Sequence, residues 1–371
     1  MNIAVFNWRD IKNPFSGGAE IMTQKICEHW VSCGHKVTVI TSRFNGSDEE
    51  EYIKGVRIIR GGSPNIHTSI FPTHLFAYWY YRTNLCGNVD CVIEEIHGAP
   101  YFTPLYVQEK KIALICELAG PLWDITVRYP WNKIGTFVEH AYPKYYSKTT
   151  VVTISESTEN ELADYAFNKR LIRLIHPGCD MQVITHPPVK EQDFTLLYLG
   201  RLSKAKGIED AIHTVRLVQK EIPGVKLWIA GSGSDQYRKY LFDLCRTLNL
   251  TKTVIFFHFV PHTEKVKMLT RAHLLLSPSI REGWGLTVHE AGARMTPTIA
   301  YKSPGLQDVV RPGINGFITV RNTPESLAQI IRRVYRDPKL YRKLQEGAKK
   351  ERNRYTWGQT CREWDNLINN V

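Results

Sequence analysis

Short apolar runs alternate with amphipathic segments along most of the chain. Asn2 to Phe6 is an apolar run typical of a buried strand. The pattern from Ala19 to Trp30 predicts a helix with Ile21, Ile26 and Trp30 facing inward, and Gly34 ends it. Residues 35–41 form a second strand-like run, so strand, helix and strand predict a βαβ unit with parallel strands.

The same alternation continues to the end of the chain. In the first half, further strands are predicted at 56–60, 91–94, 112–116 and 151–154. In the second half, strands at 195–200, 225–230, 254–257 and 273–277 alternate with helices at 208–219, 236–248 and 324–336. Such alternation predicts an α/β fold with two Rossmann-like parallel-sheet domains, and places a ligand cleft between their strand ends.

A break in periodicity separates the two halves. Gln182 to Asp193 contains Pro187-Pro188 and shows no apolar periodicity, which is typical of a linker. We therefore predict an amino-terminal domain at 1–180, a linker at 181–193 and a second domain at 194–354. The amphipathic tail, 355–371, is predicted to be a helix that returns to the first domain.

Length and charge limit the classes of protein and of partner that fit this sequence. The chain has 371 residues, enough for two hydrophobic cores, and its 43% hydrophobic and 23% charged residues are ordinary for a globular protein. The net charge of +12 favours anionic partners, namely phosphorylated small molecules, acidic membranes or nucleic acid. The basic residues are scattered and no nucleic-acid-binding motif accompanies them, so nucleic acid is the weakest of the three.

Cysteine usage and the absence of long apolar runs predict the compartment. The eight cysteines contain no C-x-x-C pair, which argues against a zinc module or a disulfide scaffold and for free thiols in a reducing compartment. The chain opens directly on a strand-like run, and no apolar run approaches the length of about 18 residues that spans a membrane. We expect a cytoplasmic protein, with peripheral contact at the inner face of the membrane left open.

Two segments combine aromatic and basic residues. Phe71 to Tyr81 is dense in Phe, Tyr and Trp, and Tyr129 to Lys148 interleaves aromatic residues with lysines. This mixture suits a membrane interface or a polyisoprenoid-linked substrate. The alternative is an aromatic core with a few exposed lysines.

The segment 277–292 joins a strand to a helix through a glycine-rich turn. Its two glycines, Gly283 and Gly285, lie where backbone N–H groups and the positive end of a helix dipole favour an anion such as phosphate. Glu282 and Glu290 flank the turn, and carboxylates suit the hydroxyl groups of a sugar or ribose attached to that phosphate. Alternatively, Glu282 caps the helix and Glu290 pairs with a surface lysine.

Three other turns follow or precede predicted elements in a similar way. After the strand at 195–200, Arg201 and Lys206 are placed to bind a diphosphate, the first bidentately. The turn Gly231-Ser232-Gly233 allows its backbone to approach a base or ribose, and Gly17-Gly18 precedes the first helix without the G-x-G-x-x-G spacing of a dinucleotide site. For Gly17-Gly18, a simple turn is an equal alternative. No Walker A loop, H-E-x-x-H, nucleophile elbow or metal-ligand cluster is present.

Together these motifs resemble glycosyltransferase family 4, whose members are retaining enzymes of the GT-B fold. The resemblance covers nearly the whole chain and includes Gly17-Gly18-Ala19-Glu20, Gly200-Arg201 with Lys206-Gly207, Gly231-Ser232-Gly233, and Glu282-Gly283-Trp284-Gly285-Leu286 with Glu290. It implies two domains facing across a cleft that closes on a nucleotide sugar. It also implies that no divalent cation and no cofactor are required.

The resemblance assigns a role to each matching residue. Arg201 and Lys206 would hold the nucleotide diphosphate and stabilise the leaving group, Glu282 would bind hydroxyls of the donor sugar, and Glu290 the ribose. The remaining donor-binding residues it implies are Gly17, Gly18, Gly231, Ser232, Gly233, Gly283, Trp284, Gly285, Leu286 and Thr287.

One position departs from the family pattern. Many relatives carry a His after the strand equivalent to 112–115, close to the reacting carbon of the donor sugar, whereas this chain has Cys116. A thiol is a poor substitute for imidazole, so Glu117 or His97 is expected to compensate, with His97 assigned to the acceptor side. Either the catalytic detail differs or activity is weak; the alternative is that Cys116 is only a small buried hydrophobe.

The sequence therefore predicts a metal-independent hexosyltransferase, of class EC 2.4. It would transfer a sugar from a UDP- or GDP-sugar to a hydroxyl of a saccharide or lipid-linked acceptor, with retention, in polysaccharide, lipopolysaccharide or glycolipid synthesis. Two alternatives stay open: a sugar-nucleotide-binding protein that has lost turnover, and a sugar-nucleotide epimerase or hydrolase of the same fold. The sequence specifies neither the donor sugar nor the oligomeric state.

Overall fold

The protein divides into two compact units that share neither sheet nor core. The computed structural model describes residues 1–65 and 70–370. One unit comprises Met1–Gly178 with Trp357–Val371, and the other comprises Cys179–Thr356. We call them the amino-terminal unit and the carboxy-terminal unit.

The strands of both units begin and end close to the apolar runs of the sequence. In chain order they are β1 (Asn2–Phe6), β2 (Lys36–Ser42), β3 (Glu50–Ile53), β4 (Val56–Gly61), β5 (Cys91–Glu95), β6 (Lys110–Leu114), β7 (Thr150–Thr153), β8 (Ile172–Leu174), β9 (Thr195–Leu199), β10 (Lys226–Ala230), β11 (Val254–Phe257), β12 (Leu274–Ser277), β13 (Thr298–Ala300) and β14 (Gly316–Ile318).

Helices alternate with these strands in both units. They are α1 (Gly18–Ser32), α2 (Ile70–Tyr80), α3 (Leu122–Thr126), α4 (Trp131–Ala141), α5 (Glu156–Asp164), α6 (Ile208–Val218), α7 (Asp235–Thr247), α8 (His262–Arg271), α9 (Leu286–Ala293), α10 (Leu306–Val309), α11 (Pro324–Arg336), α12 (Pro338–Arg352) and α13 (Trp357–Asn370). Within the described ranges, none of these helices has the length and apolar character needed to cross a membrane.

Each unit is built on one twisted sheet. The amino-terminal sheet has eight strands in the order β3-β4-β2-β1-β5-β6-β7-β8, and only β3 is antiparallel to its neighbour. The carboxy-terminal sheet has six parallel strands in the order β11-β10-β9-β12-β13-β14. Parallel strands covered by helices are buried on both faces, which is why their sequences are continuous apolar runs. The predicted fold class, two parallel-sheet α/β domains, is confirmed.

Two details differ from the sequence predictions. Ile21 is 39% exposed, whereas Met22, Ile26 and Trp30 are buried. Positions four residues apart share a helix face, so the buried face of α1 passes through Met22 and leaves Ile21 outside it. β6 ends at Leu114, so Cys116 lies in the connection after the strand and not within it.

Candidate active site

Three loops of the carboxy-terminal unit meet at the carboxyl ends of β9, β10 and β12. Backbone hydrogen bonds join them: the N–H of Leu202 donates to the carbonyl of Ser232 at 2.7 Å, and that of Ile280 to the carbonyl of Ala205 at 2.9 Å. The loop after β9 therefore lies between the other two. In α/β sheets, ligands bind outside the carboxyl ends of the strands, and these loops form that surface here.

Glycines allow the loops to pack this closely. A β-carbon on Gly231 would lie 1.9 Å from the carbonyl oxygen of Gly200, and one on Gly207 would lie 2.1 Å from that of Pro278. A β-carbon on Gly305 would lie 2.2 Å from the carbonyl oxygen of Glu282. No other residue fits at such distances without displacing backbone. The glycine spacing found in the sequence thus serves loop-to-loop contact.

Lys206 and Glu282 form an ion pair across two of these loops. The Lys206 Nζ lies 2.8 Å from Glu282 Oε1, and the hydroxyl of Ser279 donates to the same oxygen at 2.7 Å. Both charged side chains are partly accessible, at 19% and 24% of their surface. Arg201 is exposed on the loop that carries Lys206. Two cations and one carboxylate are therefore available to a ligand at this surface.

The turn before α9 buries its aromatic ring. Gly285 has a φ of 90° and immediately precedes the helix. The Trp284 side chain is only 2% exposed and stacks on His289 with the ring centroids 5.4 Å apart. Because the ring is anchored in the core, only the backbone of the turn can meet a ligand at this position.

Glu290, one turn into α9, is bound to a lysine. Lys265 Nζ lies 2.6 Å from Glu290 Oε1, and both side chains are partly exposed. This is the lysine pairing that the sequence left open as an alternative. A ligand hydroxyl at Glu290 would share the carboxylate with Lys265.

A second polar cluster surrounds Glu95 at the carboxyl ends of β1, β5 and β6 in the amino-terminal unit. Glu95 is buried, and its Oε2 accepts hydrogen bonds from Asn7 Nδ2, at 2.6 Å, and from the Thr23 hydroxyl. Its Oε1 lies 3.1 Å from His97 Nε2 and accepts the Cys116 thiol at 3.9 Å. Two predicted site residues, His97 and Cys116, therefore meet on one carboxylate.

Burial and nearby charges set the protonation of this cluster. Burial raises the pKa of the Cys116 thiol well above its ordinary value, and the charges of Glu95 and Glu117 raise it further, so the thiol stays neutral. For His97, burial lowers the pKa, but the carboxylate of Glu95 outweighs it and the net shift is upward. Glu117 itself is only half-buried.

The Gly17-Gly18 turn begins α1 and is held by Glu20. The Gly17 N–H donates to Glu20 Oε2 at 2.7 Å, and Arg9 Nε lies 3.0 Å from the other oxygen. Burial alone would raise the pKa of Glu20, but the Arg9 and His97 charges outweigh it and the net shift is downward. Glu20 is therefore an anion that fixes this helix start.

A pocket of about 370 Å³ opens beside Arg9 in the same unit. Arg9 stacks over the Trp8 ring, 4.5 Å from its centroid. The lining combines aromatic rings, amides and two guanidinium groups: Trp8, Arg9, Asn13, Pro14, Phe15, Ser42, Arg43, Phe44, Asn45, Pro64 and Asn65. This pocket was not predicted, because its walls come from three separate segments of ordinary composition.

The aromatic segment at 129–148 is divided between surface and core. Tyr142 and Tyr146 are buried, which matches the core alternative. Tyr129, Trp131 and Phe137, by contrast, are 80%, 67% and 73% exposed. We call the exposed residues on and before α4, namely Tyr129, Trp131, Ile134 and Phe137, the aromatic face.

Glu95 is a candidate site residue that the sequence analysis did not identify. Its position at the end of the buried run Cys91–Glu95 was visible, since a carboxylate in a strand covered on both faces needs partners. Those partners, Asn7, Thr23 and Cys116, come from three other segments. Only the fold brings them together.

Two parallel-sheet α/β units, one of which carries glycine-rich loops with a lysine–glutamate ion pair at its strand ends, match the GT-B class of glycosyltransferases. The chain belongs to glycosyltransferase family 4. Residues 16–183 match the family described as Glycosyltransferase Family 4, and residues 184–351 match the one described as Glycosyl transferases group 1.

Known proteins resemble the chain over its full length. An uncharacterized glycosyltransferase of Methanocaldococcus jannaschii is 27% identical, covering 99% of this chain and 97% of its own. Sucrose-phosphate synthase from Thermosynechococcus elongatus has a TM-score of 0.85 at 19% identity, covering 99% and 98% of the two chains. Anabaena HepE, solved in complex with UDP and glucose, has a TM-score of 0.78 at 16% identity and covers both chains completely. The two structural likenesses support the fold.

Proposed function

We propose that the protein is a retaining glycosyltransferase that moves a sugar from a UDP- or GDP-sugar to an acceptor hydroxyl. The observation that carries this proposal is the ion pair of Lys206 and Glu282 beside the exposed Arg201, on loops that meet at the strand ends. A nucleotide sugar presents a diphosphate next to sugar hydroxyls. Cations and a carboxylate held side by side are complementary to that pair of groups.

The proposed roles follow from the chemistry of each side chain. Arg201 and Lys206 bind the diphosphate and stabilise the negative charge that develops on it as the sugar leaves. Glu282 accepts hydrogen bonds from sugar hydroxyls. The backbone of the turn before α9 and its helix dipole add further attraction for phosphate, while Glu290 accepts from ribose.

Retention is proposed through attack on the face from which the diphosphate departs, with a phosphate oxygen taking the proton of the acceptor. The alternative is a covalent intermediate, which requires a carboxylate free to act as nucleophile. Glu282 is held by Lys206 and Ser279, and Glu290 by Lys265, which makes both poor nucleophiles. The anomer of the product tests retention, and a glycosyl-enzyme adduct found by mass spectrometry would support the covalent route instead.

We propose the pocket of the amino-terminal unit as the acceptor site. Its volume is within the range of small-ligand sites, and its aromatic rings with interspersed amides suit the faces and hydroxyls of a sugar. The guanidinium groups of Arg9 and Arg43 add affinity for an acidic substituent. An acceptor from polysaccharide, lipopolysaccharide or glycolipid synthesis fits these features.

The central experiment incubates the protein with UDP-glucose, UDP-galactose, UDP-N-acetylglucosamine and GDP-mannose, with and without a bacterial lipid extract. Nucleotide release that rises with extract is the expected result. NMR of the product is expected to show the anomeric configuration of the donor, and an inverted product would contradict the mechanism. Release that ignores the extract would instead indicate a hydrolase, and conversion of the sugar without release an epimerase.

Substitution of the donor residues gives a sharper test. Arg201→Ala and Glu282→Ala are each expected to lower kcat/KM about 100-fold, because each removes a charge that faces the transferring group. Lys204→Ala is the matched control, since Lys204 is exposed on the same loop and has no assigned role. Rates equal to that control in both variants would place the site elsewhere.

One observation favours a second function, that of a sugar-nucleotide-binding protein without turnover. Cys116 is a buried, neutral thiol where family relatives carry an imidazole. Calorimetric binding of UDP or GDP together with no release in any mixture would support this second function and reject the transferase.

A further inference from the structure

We propose that His29, Cys33 and Asp365 form a zinc-binding site that joins α1 to α13. A ring nitrogen, a thiol sulfur and a carboxylate oxygen from these three side chains all lie within 4.8 Å of one another. Both helices belong to the amino-terminal unit. The proposal is independent of the proposed transferase function, because no donor or acceptor residue belongs to this group.

The carboxyl end of α1 supplies two of the ligands. His29 and Cys33 are four residues apart, so their side chains lie on one face of the helix, as two ligands do in helical zinc-binding motifs. The His29 Nε2 lies 3.6 Å from the Cys33 Sγ. Cys33 is the last residue of this helix end, where the helix dipole is negative and favours a cation.

The third ligand comes from α13. Asp365 Oδ2 lies 2.8 Å from the same nitrogen of His29, and Oδ1 accepts the indole N–H of Trp30 at 3.1 Å. The hydrogen bond from Trp30 fixes the orientation of the carboxylate, as outer hydrogen bonds do at metal sites. The rings of Trp30 and Trp364 pack next to this bond, and both are buried. The carboxylate is therefore held on a rigid base.

One hydrogen bond cannot serve both neighbours of His29 Nε2. This nitrogen faces the thiol of Cys33 and the carboxylate of Asp365, but a ring nitrogen either donates one hydrogen bond or accepts one. A cation at the same point accepts electron pairs from all three atoms. With a neutral imidazole and an ionised thiol, the two negative charges of Cys33 and Asp365 balance one divalent cation.

The spacing of the three atoms is close to that of a tetrahedral zinc site. Zinc bonds of about 2.0 Å to nitrogen and about 2.3 Å to sulfur place these two atoms about 3.6 Å apart, as they are in His29 and Cys33. The corresponding separation of nitrogen and carboxylate oxygen is about 3.4 Å, so Asp365 would withdraw from His29 by about half an ångström on binding.

The ligand types select the metal. Thiolate with imidazole favours zinc, whereas calcium and magnesium prefer oxygen ligands. Cys33 is exposed, and the side chains of His29 and Asp365 are 29% and 30% exposed. A cation can therefore enter from solvent, and water can complete the fourth position.

Bound zinc would hold the last helix of the unit against its first helix. His29 and Asp365 are 336 residues apart, so no motif in the sequence groups them. A ligand that binds only the folded state stabilises it once its free concentration exceeds Kd. We therefore assign the metal a structural role, and we expect a gain in stability that a chelator reverses.

The test compares the wild type with Cys33→Ser and Asp365→Asn, each freed of metal with EDTA. Isothermal titration is expected to show one Zn²⁺ bound per wild-type chain. Thermal unfolding followed by circular dichroism is expected to shift upward by about 5 °C when free Zn²⁺ is about 100 times Kd. Each variant should bind Zn²⁺ at least about tenfold more weakly. Co²⁺ in place of zinc is expected to give the visible bands of a tetrahedral site and a charge-transfer band from the thiolate.

Cys86→Ser is the matched control, because Cys86 is a partly exposed cysteine of the same unit, next to Tyr81. It should keep both the Zn²⁺ affinity and the thiolate band. Affinity unchanged in Cys33→Ser, or lowered as much in Cys86→Ser, overturns the proposal. A wild type that binds no Zn²⁺, or a Co²⁺ spectrum without the thiolate band, also overturns it. If Asp365→Asn does not fold, as judged by circular dichroism, Cys33→Ser alone decides.

Discussion

A β-carbon on Gly231 would lie 1.9 Å from the carbonyl oxygen of Gly200. The methyl group of an alanine at this position would therefore force the loop into a different conformation. The backbone of another loop is similarly close at Gly207 and Gly305. Glu95 likewise accepts hydrogen bonds from three side chains, and the ring of His97 lies 3.1 Å from one of its oxygens. At the residue scale, then, the candidate site consists of close backbone contacts and shared carboxylates.

Gly231→Ala is expected to weaken UDP binding at least about tenfold, because the loop must move away from Gly200 to admit the methyl group. Isothermal titration with UDP measures the effect. Gly358→Ala in the first turn of α13 is the control, since the nearest atom there is the end of a flexible arginine at 3.5 Å. Equal UDP affinity in the two variants would show that the loops bind no nucleotide.

We predict that Lys190 makes the stability of the carboxy-terminal unit depend on pH. Its Nζ donates to the carbonyl of Thr270 and the hydroxyl of Thr296, and burial lowers its pKa from 10.5 to about 7. Between these values the unfolded chain binds more protons than the folded one, so stability rises with pH from about 7 to 10. The slope is expected to approach about 1.4 kcal/mol per pH unit.

Urea unfolding at pH 7 and pH 9 checks this expectation. Lys190→Met should remove most of the rise, whereas Lys239→Met, at an exposed position on α7, should keep it. A rise of equal size in Lys190→Met would assign the pH dependence to other groups.

At the element scale, most strands and helices follow the apolar pattern because parallel strands are buried on both faces. The short strands β3, β8, β13 and β14 are the exceptions. β3, at Glu50–Ile53, and β8, at Ile172–Leu174, lie at the two edges of the amino-terminal sheet. Their exposed or partly exposed positions give no continuous apolar run, so neither was predicted. The aromatic segment was ambiguous for a related reason, since composition does not say which rings face outward.

The aromatic face on α4 leads us to propose that the protein contacts acidic membranes peripherally, where a lipid-linked acceptor would be found. Exposed Trp and Phe beside lysines such as Lys133 and Lys144 are typical of interfacial binding. The double variant Trp131→Ser and Phe137→Ser is expected to lower binding to vesicles of acidic phospholipid about tenfold or more. Salt should weaken wild-type binding.

Co-sedimentation with acidic and neutral vesicles provides the measurement. Phe259→Ser is the matched control, because Phe259 is 77% exposed in the carboxy-terminal unit. A loss as large in this control as in the α4 variant would reject the aromatic face as the contact.

At the scale of the whole molecule, the last helix belongs to the unit in which the chain begins. α13 packs on α1 within the amino-terminal unit: the Trp30 and Trp364 rings meet edge to face with centroids 5.8 Å apart. Asp365 accepts the indole N–H of Trp30 at 3.1 Å and lies 2.8 Å from His29 Nε2. With Cys33, His29 and Asp365 form a group of three potential metal ligands that the sequence did not suggest.

Trp364→Ala is expected to destabilise the amino-terminal unit by about 3–5 kcal/mol, since it empties a fully buried site. Thermal unfolding followed by circular dichroism measures it, and the carboxy-terminal unit should unfold as in the wild type. Trp79→Ala, at a position 58% exposed on α2, is the control. A loss of stability no larger than in this control would mean that α13 contributes little to the unit.

The sequence by itself determined the α/β class, the two parallel-sheet domains, the family, and the glycine and charge positions of the loops that follow β9, β10 and β12. These follow from local patterns: strands buried on both faces are continuous apolar runs, and loops that approach a phosphate need glycine and cations at set distances from a strand end. Only the tertiary structure decided which side chains contact the same carboxylate. Glu95 contacts Asn7, Thr23, His97 and Cys116 from four segments, and three separate segments line the pocket beside Arg9. The sequence does not show these groupings, because contacts between residues far apart in sequence leave no periodic signal along the chain.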